Sequence, residues 1–218
     1  PRAVRCLAIS DVPGDDARWI GSGPLTPIGP DEDLPPGLPA FIGGLLQRSP
    51  PVAPVRESGR PVRVEIVAGN NEARQAAAKC AESQSIRAQV DPALIIGDAA
   101  AAGRRLAQAL LESPRGVLQV WGGETTVRLP ARPGRGGRAQ HLALSAALTL
   151  AGHDGVYLLA AGTDGSDGPG EDAGALVDGE TLARGEWHAG RAVEALARAD
   201  AGTFLEASGD LVQTGPTG

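Results

Sequence analysis

Apolar residues run unbroken or alternate with polar ones at several places along the chain, and each of these stretches predicts a strand. Val4 to Ile9 is a short apolar strand that leaves into a turn-rich segment, Ser10-Asp11-Val12-Pro13-Gly14-Asp15-Asp16. Val62 to Ala68 alternates, Val117 to Trp121 is largely apolar, and Val156 to Ala161 is continuously apolar. A run of the last kind suits a parallel strand buried on both faces. Between these stretches the apolar spacing turns helical. Asn70 offers an N-cap to a helix with Ala73, Ala76, Ala77, Cys80 and Ala81 on one face. A second helix opens at Asp98, carries Ala102, Leu106, Ala109 and Leu110, and ends before Pro114 and Gly116. A third runs from Arg138 to Leu150, with Leu144, Leu148 and Ala151 on one face. Gly122-Gly123-Glu124 reads as a tight turn into Thr125 to Leu129, and Leu211 to Gln213 is strand-like.

Strands alternating with helices predict an α/β fold, a three-layer sandwich with a mainly parallel or mixed sheet. From Leu25 to Pro61 prolines recur too often for regular structure, except for a short helix over Ala40 to Arg48. A linker is expected near Pro50 to Arg60. Residues 1–58 then form the tail of a second α/β domain plus linker, and residues 59–218 form the main domain.

Composition narrows the class. The 218 residues are 42% hydrophobic, enough for a real core, and contain no apolar run long enough to span a bilayer. The N-terminus lacks the layout of a secretion signal, which points to a cytoplasmic protein without a membrane segment. A net charge of −6 with few aromatics and no basic cluster argues against a nucleic-acid surface. Cys6 and Cys80 read as small core residues, and Trp19, Trp121 and Trp187 as packing residues. His141, His153 and His188 lack metal-ligand spacing and read as incidental. Lys79, the only lysine, reads as solvated. The chain contains no methionine and both ends are abrupt, so the sequence reads as a fragment.

The chemistry concentrates in four glycine-bearing segments. Thr163-Asp164-Gly165-Ser166-Asp167-Gly168-Pro169-Gly170-Glu171-Asp172 follows an apolar strand and holds four carboxylates and no base. Crowded carboxylates resist desolvation unless a cation joins them, and Mg2+ held by one or two carboxylates plus phosphate oxygens is a common solution. Asp164 and Asp167 are the candidate ligands. The spacing is not that of an EF-hand, and a solvated loop with Asx-turns remains an equal alternative. Gly134-Arg135-Gly136-Gly137-Arg138 opens a helix, where backbone N–H groups and Arg138 can receive a phosphate or carboxylate, although such turns are also common as plain structure. The glycines of Gly122-Gly123-Glu124-Thr125-Thr126 can let a ligand approach the backbone, or simply turn it. Ser10 and Asp11, followed by Gly21-Ser22-Gly23-Pro24, could wrap a small acid or merely turn the chain.

In their joint order these segments resemble the class II glycerate kinase family and its C-terminal MOFRL domain. Ser10 to Asp16 with Gly21 to Pro24 looks like the end of that family's N-terminal domain. Gly122 to Val127, Gly136-Gly137-Arg138, Leu159 to Gly165 with Asp167-Gly168, and Thr214 to Gly218 look like its C-terminal signatures. One departure is Ala139-Gln140, where the family usually has Asn-Gln. The resemblance implies an ATP-dependent enzyme acting on D-glycerate with Mg2+, its active site in a cleft between two α/β domains. It assigns Arg138 and its backbone, with Gly136 and Gly137, to a phosphate or to the glycerate carboxylate. Asp164 or Asp167 would take the metal or the attacking hydroxyl. Gly122, Gly123, Glu124 and Thr125 would line the cleft, with Ser10 and Asp11 as further binding residues. The family's lysine and its other glycine-rich loop would belong to an N-terminal half absent from this sequence, which leaves these residues inactive alone. The same family has been described as hydroxypyruvate reductase, but no dinucleotide fingerprint follows a strand here. A non-catalytic anion- or partner-binding module is the other alternative.

Overall fold

A computed structural model describes residues 4–23, 37–48 and 62–217. The expected linker over Pro50 to Arg60, and Pro24 and Gly218 of the two flanking motifs, lie outside these residues. The chain divides into two compact units, Pro1–Asn70 and Asn71–Gly218.

In the first unit β1 (Val4–Ile9) pairs in parallel with β2 (Val62–Ala68), in register from Val4↔Val62 to Ala8↔Ile66. Leu7, Ile9 and Val67 on this small sheet are exposed. The short helix expected between the prolines is α1 (Ala40–Arg48). Because β2 pairs with β1, the division between the units falls after that strand.

The second unit opens with α2 (Asn70–Ser83). Its buried positions are Arg74, Ala78 and Ala81, so of the expected row Ala73, Ala76, Ala77, Cys80 and Ala81 only Ala81 faces inward. In so alanine-rich a helix the apolar pattern is nearly uniform and does not single out a face. Nor does Asn70 cap it: its side-chain oxygen is buried without a partner. β3 (Arg87–Asp98) follows and pairs in parallel with β4 (Val117–Thr126), around an irregularity between Val90 and Leu94. β4 continues through Gly122-Gly123-Glu124, so the expected tight turn is strand instead. A side chain at Gly123 would sit 2.0 Å from the Ile95 carbonyl oxygen of β3, so the glycine serves close strand packing.

Asp98 ends β3 and caps α3 (Ala99–Glu112), its carboxylate accepting from the Ala101 N–H at 2.8 Å. α4 (Arg138–Leu150) packs along α3, and Ser145 donates to the Ala100 carbonyl at 2.7 Å. α4 also lies against β5 (Tyr157–Ala161) and β6 (Gly174–Asp178). β5 was expected to be a parallel strand buried on both faces. It runs antiparallel to β6, with Leu158 buried beneath α4 and Tyr157 and Leu159 exposed. α5 (Thr181–Ala189), α6 (Ala192–Ala197) and α7 (Ala201–Ser208) complete the helical layer, and β7 (Leu211–Val212) pairs with β6.

The fold is therefore α/β, with parallel and antiparallel strand pairs. Its core joins Ala99, Ala102 and Leu106 of α3, Leu144 and Leu150 of α4, Leu158, Val177, Phe204 and Leu205. Of the three tryptophans only Trp121 packs on that core, while Trp19 and Trp187 are exposed. Cys80 is also exposed, contrary to its reading as a core residue, and Cys6 is half-buried. Arg184 bridges Asp178 and Asp210 at 3.0 and 2.6 Å.

The α3–α4 crossing depends on a glycine. A methyl group on Gly103 would lie 2.2 Å from the Leu142 carbonyl oxygen, a backbone atom that cannot step aside cheaply. Alanine is favoured over glycine in a helix by about 1 kcal/mol, but overpacking of this kind costs about 1–3 kcal/mol or more. Gly103→Ala is therefore expected to lower the urea midpoint of unfolding, and a raised midpoint would show the crossing to be looser than described.

Candidate functional site

The site is assembled at the start of α4. A helix leaves its first N–H groups without intrahelical partners, and a negative group placed there is stabilised by both hydrogen bonds and the helix dipole. Here the negative group is Asp167. Its two carboxylate oxygens accept from the N–H groups of Ala139 at 2.9 Å and Gln140 at 2.8 Å. The buried Gln140 amide donates to the Asp167 carbonyl at 3.2 Å. Asp167 itself is buried.

The glycines expected to receive a ligand receive this loop. A Cβ on Gly137 would lie 2.3 Å from the Asp167 carboxyl carbon, and one on Gly168 would lie 2.6 Å from the Gly136 carbonyl oxygen. Gly168 also has φ +76°, which favours glycine. Gly136 is pressed in turn against the Gly202 nitrogen at the start of α7.

Arg138, first residue of α4, reaches to the end of β4. Its Nη1 donates to Glu124 Oε1 at 2.6 Å and lies 3.4 Å from the Thr125 carbonyl. Both partners are half exposed, at 54% and 52%, so water screens the pair and its net worth falls within about 1 kcal/mol. Thr125 is buried beside them, and the Thr126 hydroxyl donates to the Gly97 carbonyl at 3.3 Å.

Asp164 lies three residues before Asp167 in the same loop. It is exposed, and its Oδ1 accepts the Ser166 N–H at 3.1 Å. The C-terminal segment runs against it: the Thr217 N–H donates to the Asp164 carbonyl at 3.1 Å, and the Thr217 hydroxyl to the Thr163 carbonyl at 2.8 Å. At Gly165, φ is +84° and a side chain would lie 2.1 Å from the Gly215 carbonyl oxygen. Four segments distant in sequence thus meet around the start of α4: the end of β4, the helix turn itself, the loop 163–168 and residues 214–217.

Two residues escaped the sequence reading. His141 stands one turn after Arg138, a spacing that places it on the same stretch of helix, yet it had read as incidental. It is buried, and burial lowers its pKa below 6.5 although the nearby Asp98 charge works the other way. Asp98, read only as a helix start, therefore belongs to the same neighbourhood.

Ser10 and Asp11 belong to the first unit. Ser10 is buried, its N–H donates to the Ala68 carbonyl at 2.8 Å, and its hydroxyl oxygen accepts the Val12 N–H at 3.3 Å. Asp11 is exposed. Further along that turn, side-chain and backbone hydrogen bonds from Arg18 hold the Asp16 carboxyl down at a pKa of about 2.

Among the described residues no group of three or more His, Cys, Asp or Glu side chains could hold a metal ion. What the arrangement offers is an exposed carboxylate not paired to the arginine, Asp164, and an arginine whose Nε and Nη2 make no hydrogen bond among the described residues, on an α/β scaffold. No helix among the described residues is long and apolar enough to cross a membrane.

Fold and loops together define an α/β domain with its polar residues gathered where one helix begins. Residues 117–218 match the MOFRL family. The whole chain is 33% identical to a D-glycerate 2-kinase of Thermotoga maritima, spanning 54% of that protein, and 34% identical to a protein of Agrobacterium vitis named provisionally as a hydroxypyruvate reductase, spanning 60% of it. A crystal structure of glycerate kinase from Thermotoga maritima superposes with a TM-score of 0.78 at 30% identity, covering 99% of this chain and 54% of that one. The chain belongs to the MOFRL/glycerate-kinase family and spans about half the length of the curated relatives it matches.

Because the Arg138–Glu124 pair is half exposed, Arg138→Ala and Glu124→Ala should each change the unfolding free energy by no more than about 1 kcal/mol. A loss of several kcal/mol in chemical denaturation would mean the pair is structural. His141 has a lowered folded-state pKa, so its stabilising contribution is complete above its unfolded value of 6.5 and falls as pH drops through it, because the unfolded chain takes up the proton first. Thermal midpoints measured between about pH 7.5 and 5.5 should therefore fall further in the parent chain than in His141→Gln. Parallel curves would contradict the burial of a neutral imidazole.

Proposed function

We propose that this chain is part of an ATP-dependent glycerate 2-kinase, which moves the γ-phosphoryl group of ATP to the 2-hydroxyl of D-glycerate and releases ADP. The observation that carries the reading is the meeting of Arg138, Glu124 and the Asp164-bearing loop at the start of α4, in a chain whose relatives include proteins named glycerate kinase. Phosphoryl transfer relies on positioning and on charge neutralisation more than on covalent chemistry.

In this reading Arg138 binds the anionic end of the substrate through Nε and Nη2, the edge of the guanidinium that Glu124 does not use. Glu124, by holding Nη1, fixes the plane of that fork. Asp164 contributes its unshared oxygen to orienting the attacking hydroxyl or to the cation. Mg2+ keeps most of its ligands as water and phosphate oxygen, so one exposed carboxylate suits an ion that arrives with the nucleotide, and when bound it neutralises charge on the transferred group. Asp167, also a candidate ligand by sequence, already has both oxygens engaged with backbone N–H groups. Gly122 to Thr126 form part of the wall. In this reading Ser10 and Asp11 serve the tail of a second α/β domain, expected over residues 1–58 and taken here to run on through β2, with the residues from α2 onward as its partner. An exposed two-stranded parallel sheet with Leu7, Ile9 and Val67 in solvent supports that reading, since parallel strands are ordinarily covered on both faces. In this reading the enzyme acts in the cytoplasm.

The 218 residues alone are expected to give little or no ADP release with D-glycerate, Mg2+ and ATP in a coupled assay. The same assay on an enzyme that joins them to a family N-terminal half should give turnover that Arg138→Ala largely abolishes. Robust turnover by the 218 residues, or near-normal turnover by the joined Arg138→Ala enzyme, would overturn the proposal. Oxidation of NADH with hydroxypyruvate would favour a reductase instead.

A further inference from the structure

The first turn of α4 has the makings of an anion seat, with glycines before it, free N–H groups and an arginine beside it. Two of its amide donors are nevertheless taken. Asp167 takes the Ala139 and Gln140 N–H groups with one oxygen each, at 2.9 and 2.8 Å, while being itself almost wholly buried. The backbone is shaped around this carboxylate. Gly137 has no side chain where any Cβ would collide with the Asp167 carboxyl group, and Gly168 has none where one would strike Gly136. Gln140, 1% exposed, closes the arrangement by donating to the Asp167 carbonyl. An external phosphate would have to displace a buried, doubly hydrogen-bonded charge tethered to the same fold, and a tethered group competes at a high effective concentration.

We propose that Asp167 is the resident anion of the α4 N-terminus: a positioning residue that excludes phosphate and carboxylate ligands from the Ala139 and Gln140 amides and ties the Asp164-bearing loop to Arg138. A substrate anion is then received by Arg138, beyond those two amides. What Asp167 positions rests on the kinase reading above. That Asp167 fills the seat does not.

The experiment is amide-resolved NMR on the isotope-labelled 218-residue chain. Hydrogen exchange at Ala139 and Gln140 should be slow in the parent and rise by at least about tenfold in Asp167→Ala, the loss expected for a hydrogen bond to a charged acceptor. Acetate, added at constant ionic strength, should restore slow exchange saturably in Asp167→Ala and leave the parent amides unmoved. Inorganic phosphate should behave in the same way. A merely space-filling role for Asp167 predicts no rescue by either anion. If Asp167→Ala does not fold, Asp167→Asn keeps the shape and one acceptor oxygen, and should lose protection at one of the two amides only. Fast exchange in the parent, no saturable rescue in a folded Asp167→Ala, full protection in Asp167→Asn, or Mg2+-dependent shifts at the parent's Ala139 and Gln140 amides would each overturn the proposal. None of these outcomes depends on whether ADP is released, so the two readings fail separately.

Discussion

One buried carboxylate on two backbone N–H groups fixes the geometry on which the candidate site depends. Asp167 joins a loop that leaves β5 to a helix that starts after β4, and these segments are separated by 27 and 28 residues of chain. Without that join, the loop that carries Asp164 would lose its carboxylate hydrogen bonds to the helix that begins with Arg138. With it, the first turn of α4 becomes a fixed point to which the Arg138–Glu124 pair and the C-terminal segment are referred. The energetic logic is asymmetric: the half-exposed ion pair adds little to stability, whereas the buried carboxylate leaves unsatisfied donors behind if it is removed.

The rest of the second unit supports that point from below. Gly103 lets α3 and α4 approach backbone to backbone, and Gly123 does the same for β3 and β4. Leu144, Leu150, Leu158, Val177 and Phe204 bury the underside of α4 against β5, β6 and α7. The position of Arg138 is thus a property of the core as much as of its own turn. This is why so glycine-rich a segment can hold a defined geometry.

Sequence was a good guide where one signal dominated. The strands at Val4 and Val62 and the helices ending at Glu112 and Leu150 were legible because apolar periodicity and end signals agreed. β3 was not recognised, since Asp91 and Pro92 interrupt its apolar run where the pairing with β4 is irregular. The helices α5 to α7 are short, and the alanine row of α2 is too uniform to reveal its inner face. The glycine-rich segments were found but their contacts were not. Their glycines make room for other parts of the same chain: Gly137 for Asp167, Gly165 for Gly215, Gly123 for Ile95. No single-chain pattern distinguishes a glycine that admits a ligand from one that admits a neighbouring loop. His141 was passed over because burial, not spacing, is what perturbs it.

The central claim is that the polar residues around the start of α4 are one half of a site for a small hydroxy acid. Titrating D-glycerate into the labelled chain and following every backbone amide tests it most directly. The account predicts saturable shifts confined to residues 122–126, 138 and 163–166. Shifts centred on the Asp178–Arg184–Asp210 cluster, or none that saturate, would contradict it.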